Sequence, residues 1–413
     1  MTARRVLVTG MGIVSCIGND LDTVARALRE GRSGIGPAPA FAANGLASHV
    51  AGIPSLDSLP AVRRPLRRFM SEPALYAYHA MSAALADAGL KEADVASERT
   101  ALVVGSGVSS TYEVAEAVAL AKTQGARKVP PYVVPRIMGN TTSANLATAF
   151  HMRGPSYSIV SACSTSAHCI GHGAELIQLG KADRVIAGGA EEVAWTMAAF
   201  FDAMGALSTA YNDRPAKAAR PYDLKRDGFV VAGGAGILVL EAEDAARERN
   251  ARVRAELAGY GASSDGADMV APHADGIARA MRTALREADA SGKSTIDYIN
   301  THGTSTLAGD LVELDAIREV FGEKLPFISS TKGLTGHAIG AAAAHEAIYC
   351  LLMMERGFIA ACANLEEPDP ATRGLPIVDR ARKATLGAVM SNSLGFGGTN
   401  ASLVFRRWTG KPA

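Results

Sequence analysis

Apolar stretches of strand length and stretches of helix length alternate from one end of this chain to the other. That alternation confines it to an α/β architecture, with helices covering a largely parallel or mixed sheet. Strands are expected at 5–10, 100–105, 156–161, 184–188 and 235–241, and helices at 21–30, 71–88 and 164–179. Gly31, Gly89 and Gly180 follow those helices as stop signals. A second series follows, with strands at 255–260, 298–301, 327–329 and 388–391 and helices at 276–288, 310–320 and 338–354. The charged segment 241–254 separates the two series and sets an expected division into 1–250 and 251–413. Each half begins with a strand and ends in a strand- and glycine-rich stretch, which points to duplication. No short-period repeat exists, so a solenoid is excluded. Segments 119–135 and 199–222 read as irregular and are candidates for a cap over a site.

A chain of 413 residues can bury a core without disulfides. Its Lys plus Arg count of 42 nearly cancels an Asp plus Glu count of 41, leaving a net charge of +1. Nucleic-acid binding needs a basic excess or a long basic stripe and is not expected, although a local basic patch is compatible with the balance. The five cysteines are Cys16, Cys163, Cys169, Cys350 and Cys362, an odd number with no CxxC spacing. A disulfide framework or zinc ribbon is therefore not expected. The long uncharged runs, 154–174 and 384–405, are broken by Ser, Thr, Asn and Gly and are not apolar throughout, so no membrane span is expected. The first apolar stretch is too short for a signal-peptide core. A soluble, cytoplasmic protein is the expectation.

Several motifs mimic known sites and fail on detail. Gly10-Met11-Gly12-Ile13-Val14-Ser15 follows a strand but ends in Ser15 where a dinucleotide loop needs Gly or Ala, and it reads as a tight turn. Gly105-Ser106-Gly107 fails in the same way. There is no phosphate-binding GxxxxGK[ST] and no GxSxG elbow. His345-Glu346 opens like a zinc helix but lacks the second histidine.

Cys163 lies in Ser161-Ala162-Cys163-Ser164-Thr165-Ser166, between an expected strand and an expected helix. Small neighbours let a substrate approach, and free N–H groups at a helix start favour a thiolate. A buried, inert cysteine is the competing reading. His302, in Thr301-His302-Gly303-Thr304-Ser305-Thr306, follows a strand, with Asp310 and Glu313 soon after. His337 closes Lys332-Gly333-Leu334-Thr335-Gly336-His337 just before a long helix, whose first turn would favour neutral imidazole. Lys332, at a strand end, needs a partner if buried, and Glu313 or Asp310 would supply it. Ser391 to Asn400 carries three glycines around Phe396, which makes a loop able to hinge and to present backbone N–H groups to an oxyanion.

Taken together, these segments resemble the β-ketoacyl-acyl-carrier-protein synthases, the condensing enzymes of fatty acid synthesis. The resemblance covers nearly the whole chain. It rests on VLVTGMGIVSCIGN, GPSYSIVSACSTSAHCIG, AGGAEE, FDAMGALS, PYDLKRDGFVVAGGAG, GYGASSDGADMVAP, THGTSTLAGD, TKGLTGHAIGAA and SNSLGFGGTN, in that order. SAHCIG, FDAMGALS and DGADMVAP look most like the type I synthase of bacterial dissociated systems. The resemblance implies a thiolase-like fold of two similar halves in αβαβα layers, assembled as a homodimer.

It also implies roles. Cys163 would take the acyl chain from phosphopantetheine carried by an acyl carrier protein, with no other cofactor or metal. The N–H groups of Cys163 and Phe396 would form the oxyanion hole. His302 and His337 would stabilise the enolate left by decarboxylation of a malonyl thioester. Lys332, paired with Glu313, would order the site, and Thr304 and Thr306 would contact the phosphopantetheine arm. Phe396 would gate the site. An acidic carrier would dock on Arg63, Arg64, Arg67 and Arg68 together with Arg127 and Lys128. Ser164 stands where many relatives carry Ala and adds a hydroxyl beside the nucleophile.

Three rivals remain in view. A thiolase would need a second cysteine near the C-terminus, where Phe396 and Asn400 stand instead. A type II or a specialised polyketide or polyene condensing enzyme differs in substrate. A non-catalytic chain-length partner would usually lack the cysteine.

Overall fold

The computed structural model describes residues 4–289 and 295–410. Ten strands build its principal sheet: β1 (Val6–Val14), β2 (Thr100–Gly105), β3 (Ser156–Tyr157), β4 (Arg184–Glu191), β5 (Gly234–Ala242), β6 (Ala255–Ser264), β7 (Tyr298–Asn300), β8 (Phe327–Ser329), β9 (Ala388–Gly395) and β10 (Thr399–Arg406). They lie in the order β8-β7-β9-β10-β6-β1-β5-β4-β2-β3. Counted outward from the centre, each half runs first, fifth, fourth, second, third strand. That shared order is the duplication anticipated from the sequence. The halves join where β1 meets β6 antiparallel, through Val6–Leu257, Leu7–Glu256 and Val8–Ala255. Pairing is parallel among β2, β3 and β4 and among β7, β8 and β9, and antiparallel toward the centre.

Helices α1 (Glu72–Ala88) and α3 (Ala274–Ala288) cover the outer faces of β1 and β6, and α4 (Gly309–Phe321) packs on α3. Between the two half-sheets lie α2 (Thr165–Gln178) and α5 (Ala342–Arg356), which touch each other and strands of both halves. Every residue of α5 from Ala342 to Met354 is buried, as a helix apolar all round must be. The result is five layers, αβαβα.

The glycine motif mistaken for a turn is part of this packing. Gly10 and Gly12 lie inside β1, not in a turn, and a Cβ on either would collide with the α1 carbonyl oxygens of Ala84 or Ala80. The second half repeats the device: Gly259 and Gly261 in β6 face the α3 carbonyl oxygens of Ala284 and Ala280. Side chains at these positions would hold the helices off the sheet.

Other expectations need correction. The segment 119–135 is not irregular: it holds the end of a helix, Thr111–Gln124, then a 3-10 turn and a short helix, Val133–Ile137. Segment 199–222 begins inside the helix Trp195–Ala203. The strand expected at 156–161 pairs only at Ser156–Tyr157, because the chain must then bend toward α2.

Candidate active site

Cys163 lies in a single 3-10 turn, Ala162–Ser164, that runs directly into α2. Ala162 has φ 50°, a left-handed conformation that costs a residue with a β-carbon about 1–3 kcal/mol. Hydrogen bonds hold the strained turn in place. The Ser161 N–H donates to Thr165 Oγ1 at 2.9 Å, and Thr399 Oγ1 donates to Ser161 O at 3.2 Å. Ser161 Oγ lies 2.6 Å from His168 Nδ1. Ser164 Oγ donates to Thr399 O at 2.8 Å, so its buried hydroxyl ties the turn to β10 and leaves the thiol alone.

Gly395, at the end of β9, comes so close that a Cβ there would sit 2.8 Å from Ser161 O and 3.3 Å from Cys163 N. This approach brings the Phe396 backbone N–H to the Cys163 sulfur. The Phe396 ring lies partly exposed, 6.3 Å from the Phe201 ring, and Gly397 and Gly398 follow at φ 83° and 69°. An aromatic side chain followed by two glycines in the left-handed region has the make-up of a movable lid. Burial pushes the Cys163 thiol up to about 12, against the pull of Lys332 and the two N–H groups. The resting group is therefore a thiol, not the helix-stabilised thiolate expected from sequence, because burial outweighs the helix end.

Cys163, His302 and His337 face one cavity of about 440 Å³. Their ligating atoms all lie within 4.8 Å of one another, and the two imidazole rings stand perpendicular with centroids 5.1 Å apart. Burial holds both histidines well below the usual imidazole range, and the charge of Lys332 adds to it. His337 does not lie in the first turn of α5. It follows the short helix Lys332–Thr335 and is fixed by Val230 O, which accepts from its N–H at 2.8 Å, and by Ala232, which donates to its O at 2.9 Å. Its neutrality thus comes from burial and Lys332. Among the described residues, neither ring nitrogen of His337 nor Nδ1 of His302 has a hydrogen-bond partner. Buried polar atoms left unpaired lie ready for a ligand.

Lys332 also departs from expectation. Its ammonium pairs with Glu346 on α5, not with Glu313 or Asp310. Glu313 instead accepts the backbone N–H groups of His302 at 2.9 Å and Gly303 at 3.0 Å, and the Asn392 amide at 3.2 Å. Burial raises Glu313 and Glu346 alike to about 7, against those donors and Lys332. Asp310, raised by burial to about 6, accepts from the N–H groups of Tyr222 and Ser305 at 3.0 Å and of Thr306 at 3.3 Å. It thereby shapes the turn carrying Thr304 and Thr306, whose hydroxyls lie 3.1 Å apart on the cavity wall. Arg226 completes that turn by donating to Thr306 O at 3.0 Å and Leu307 O at 3.1 Å.

The six basic residues lie elsewhere. Arg63, Arg64, Arg67 and Arg68 are exposed around the short helix Arg64–Arg67, and Arg127 and Lys128 are exposed on their 3-10 turn. The Arg68 guanidinium stacks over Phe69 at 4.7 Å and Tyr132 at 5.2 Å, which draws the two basic segments together. None of the six lines the cavity or forms an ion pair among the described residues.

Sequence reasoning missed Glu346, Arg226 and the cavity walls Phe201, Phe229 and Ile339. Glu346 was set aside with a failed zinc motif. Its only signal was a carboxylate in an otherwise apolar helix, a group that demands a counterion.

The β-ketoacyl synthase N-terminal domain pattern matches residues 3–246, and the C-terminal domain pattern matches 254–366. The chain is 53% identical over 406 residues to 3-oxoacyl-[acyl-carrier-protein] synthase 1 of Escherichia coli (strain K12), covering 98% of this chain and 99% of the relative. It is 39% identical over 414 residues to 3-oxoacyl-[acyl-carrier-protein] synthase 2 of Vibrio harveyi, covering 98% and 99%. The crystal structure of a β-ketoacyl synthase from Burkholderia phymatum STM815 superposes with a TM-score of 0.92 at 37% identity, covering 98% of this chain and 100% of that one. With domain patterns spanning both halves and relatives matched end to end, the chain belongs to the β-ketoacyl synthase family.

Proposed function

We propose that this acyltransferase joins an acyl group held on Cys163 to malonyl-acyl-carrier protein, giving 3-oxoacyl-acyl-carrier protein and CO2 in fatty acid elongation. The observation that carries the reading is one cavity in which a cysteine meets two neutral, unpartnered histidines and a backbone N–H. Higher identity to the synthase 1 relative than to the synthase 2 relative supports the type I assignment over type II. The cysteine itself speaks against a non-catalytic chain-length partner.

The chemistry follows from the geometry. Cys163 sulfur attacks the acyl thioester of the carrier, its proton leaves with the pantetheine thiol, and the acyl group remains on sulfur. Malonyl thioester then loses CO2, and the electron pair moves onto the thioester oxygen as an enolate. Neutral imidazole N–H groups of His302 and His337 stabilise that charge without first being protonated. The enolate carbon attacks the acyl carbon, the N–H groups of Cys163 and Phe396 hold the tetrahedral oxyanion, and sulfur departs. Lys332, neutralised by Glu346, fixes the field around both histidines. Thr304 and Thr306 receive the pantetheine arm, and Phe396 swings to admit the acyl chain. No cofactor is needed beyond the phosphopantetheine of the carrier.

We also read the enzyme as a cytoplasmic homodimer. Helix Thr111–Gln124 buries none of its residues within the chain and leaves Tyr112, Val114 and Val118 exposed beside Val108 and Val134. An exposed apolar row of this kind marks an interface. Among the described residues, no helix is long and apolar enough to cross a membrane.

The test is product analysis with acyl- and malonyl-carrier protein. Wild type yields 3-oxoacyl-carrier, and Cys163→Ser yields none while keeping its circular dichroism. Label from acyl-carrier on a cysteine other than Cys163 would sink the reading.

A further inference from the structure

We propose that the resting site is also a reversible zinc site, in which Cys163, His302 and His337 bind Zn2+ and thereby exclude the acyl group. The donor set is one sulfur and two imidazoles, the soft and borderline ligands that Zn2+ prefers. All three ligating atoms lie within 4.8 Å of one another. Ordinary zinc bond lengths put ligand atoms roughly 3.5 Å apart, so side-chain rotations closing about an ångström complete the site. The second pointer to a ligand is His337. It is 2% exposed, faces the cavity, and carries two ring nitrogens with no partner among the described residues. An imidazole that packs edge-on against Phe229 and His302 but has no hydrogen bond can present either ring nitrogen to a metal, by choice of tautomer.

The cavity leaves room for water at a fourth position, as in three-ligand zinc sites. Binding forms one Zn–S bond and two Zn–N bonds and breaks the Cys163 S–H bond, whose proton passes to solvent. The bound unit carries a net charge of +1, from Zn2+ and one thiolate. Lys332 opposes it and Glu346, its ion-pair partner, offsets that opposition. The thiol must give up its proton to become a thiolate ligand. Affinity therefore rises with pH. Once an acyl group occupies the sulfur, the thiolate ligand is gone. Metal and acyl chain are mutually exclusive occupants, and the acyl-enzyme is immune. This site is separate from the abortive His345-Glu346 motif, whose histidine lies near the Val14 carbonyl at 3.1 Å.

Metal binding by these three donors does not depend on the condensation reaction and can be read directly. Co2+ is titrated anaerobically into the full-length apoprotein. A thiolate-to-cobalt charge-transfer band and the intense visible bands of tetrahedral cobalt are expected at one equivalent, with loss on adding Zn2+. Cys163→Ser, an isosteric change, abolishes the charge-transfer band, and His337→Gln weakens binding at least tenfold. Wild type alkylated at Cys163 by iodoacetamide gives no band, which covers the case of a misfolded variant. Apparent affinity rises about tenfold per pH unit between pH 6.5 and 8, for one proton released. Zn2+ also slows alkylation of Cys163 at least tenfold, reversed by a chelator. Absence of the band in wild type, its survival in Cys163→Ser, or unchanged alkylation in the presence of Zn2+ overturns the proposal.

Discussion

Lys332 and Glu346 form an ion pair in which both side chains are almost wholly withdrawn from solvent. Each half of such a pair depends on the other, because a lone buried charge costs more than the pair gains. Glu346→Gln should lower unfolding free energy by about 3–5 kcal/mol. The double variant Lys332→Met/Glu346→Leu should recover most of that loss while staying inactive. Urea denaturation measures both. A single variant as stable as wild type would mean that the ammonium finds another partner.

His302 and His337 should remain neutral across the working range. Burial and Lys332 lower both, so protons favour the unfolded chain. Their stability contribution is complete above the unfolded value near 6.5 and is lost as pH falls from there toward the folded value, by up to about 1.4 kcal/mol per unit for each. Glu313 and Glu346, raised to about 7, act in the opposite sense and lose stability as pH rises through that value. The imidazole Cε1 resonances of both histidines should show no protonation step of imidazole size from pH 8 to 5.5, only smaller shifts as Glu313 and Glu346 titrate near 7. His337→Asn should show a shallower acid loss of stability than wild type.

Carrier docking on the basic patch is best tested at Arg64 and Arg127. Both are exposed, whereas Arg68 also stacks on Phe69 and Tyr132 and would confound fold with binding. Arg64→Glu/Arg127→Glu should raise KM for acyl-carrier about tenfold, weaken the salt dependence, and leave acylation by a small thioester unchanged. Equal losses with both substrates would assign the patch to the fold.

Gly12→Ala and Gly261→Ala should each destabilise by at least about 1–3 kcal/mol, since each β-carbon meets a helix carbonyl that cannot yield cheaply. Gly36→Ala, with open space around it, serves as the neutral control. Thermal melts decide. Equal melting temperatures for all three would show that the helices slide.

Ser164→Ala should cost about 1 kcal/mol through the lost bond to Thr399 O. It should not move the pH midpoint of Cys163 alkylation. A shifted midpoint would place the hydroxyl on the sulfur after all.

The strands and helices were legible wherever apolar periodicity was strong, and the cysteine and the two histidines were legible as motifs beside glycine and threonine. What escaped were relationships that only tertiary packing creates. Lys332 was matched to Glu313 and Asp310, although Glu346 lies closer in sequence, 14 residues away. Only the packing of α5 between the half-sheets brings Glu346 to it, while Glu313 turns toward two backbone N–H groups. The glycines of β1 read as a turn because a strand needing no side chain looks like one. The α1 carbonyls that forbid a Cβ lie some 70 residues away. Arg226 escaped because most of its partners, the carbonyls of Thr306 and Leu307 and the carboxylates of Asp310 and Asp369, are brought to it only by the fold.

The central position of β1 has a consequence for synthesis on the ribosome. Its partners, β5 and β6, begin at Gly234 and Ala255. At ordinary elongation rates the first strand therefore emerges on the order of 10–40 s before it can pair. Helix α2 waits in its turn for α5, a somewhat shorter interval. The nascent chain carries the nine apolar and glycine-rich residues of β1 unpaired through that interval. Holding them apart from other nascent chains is a task for chaperones, and codon choice between β1 and β6 sets how long it lasts.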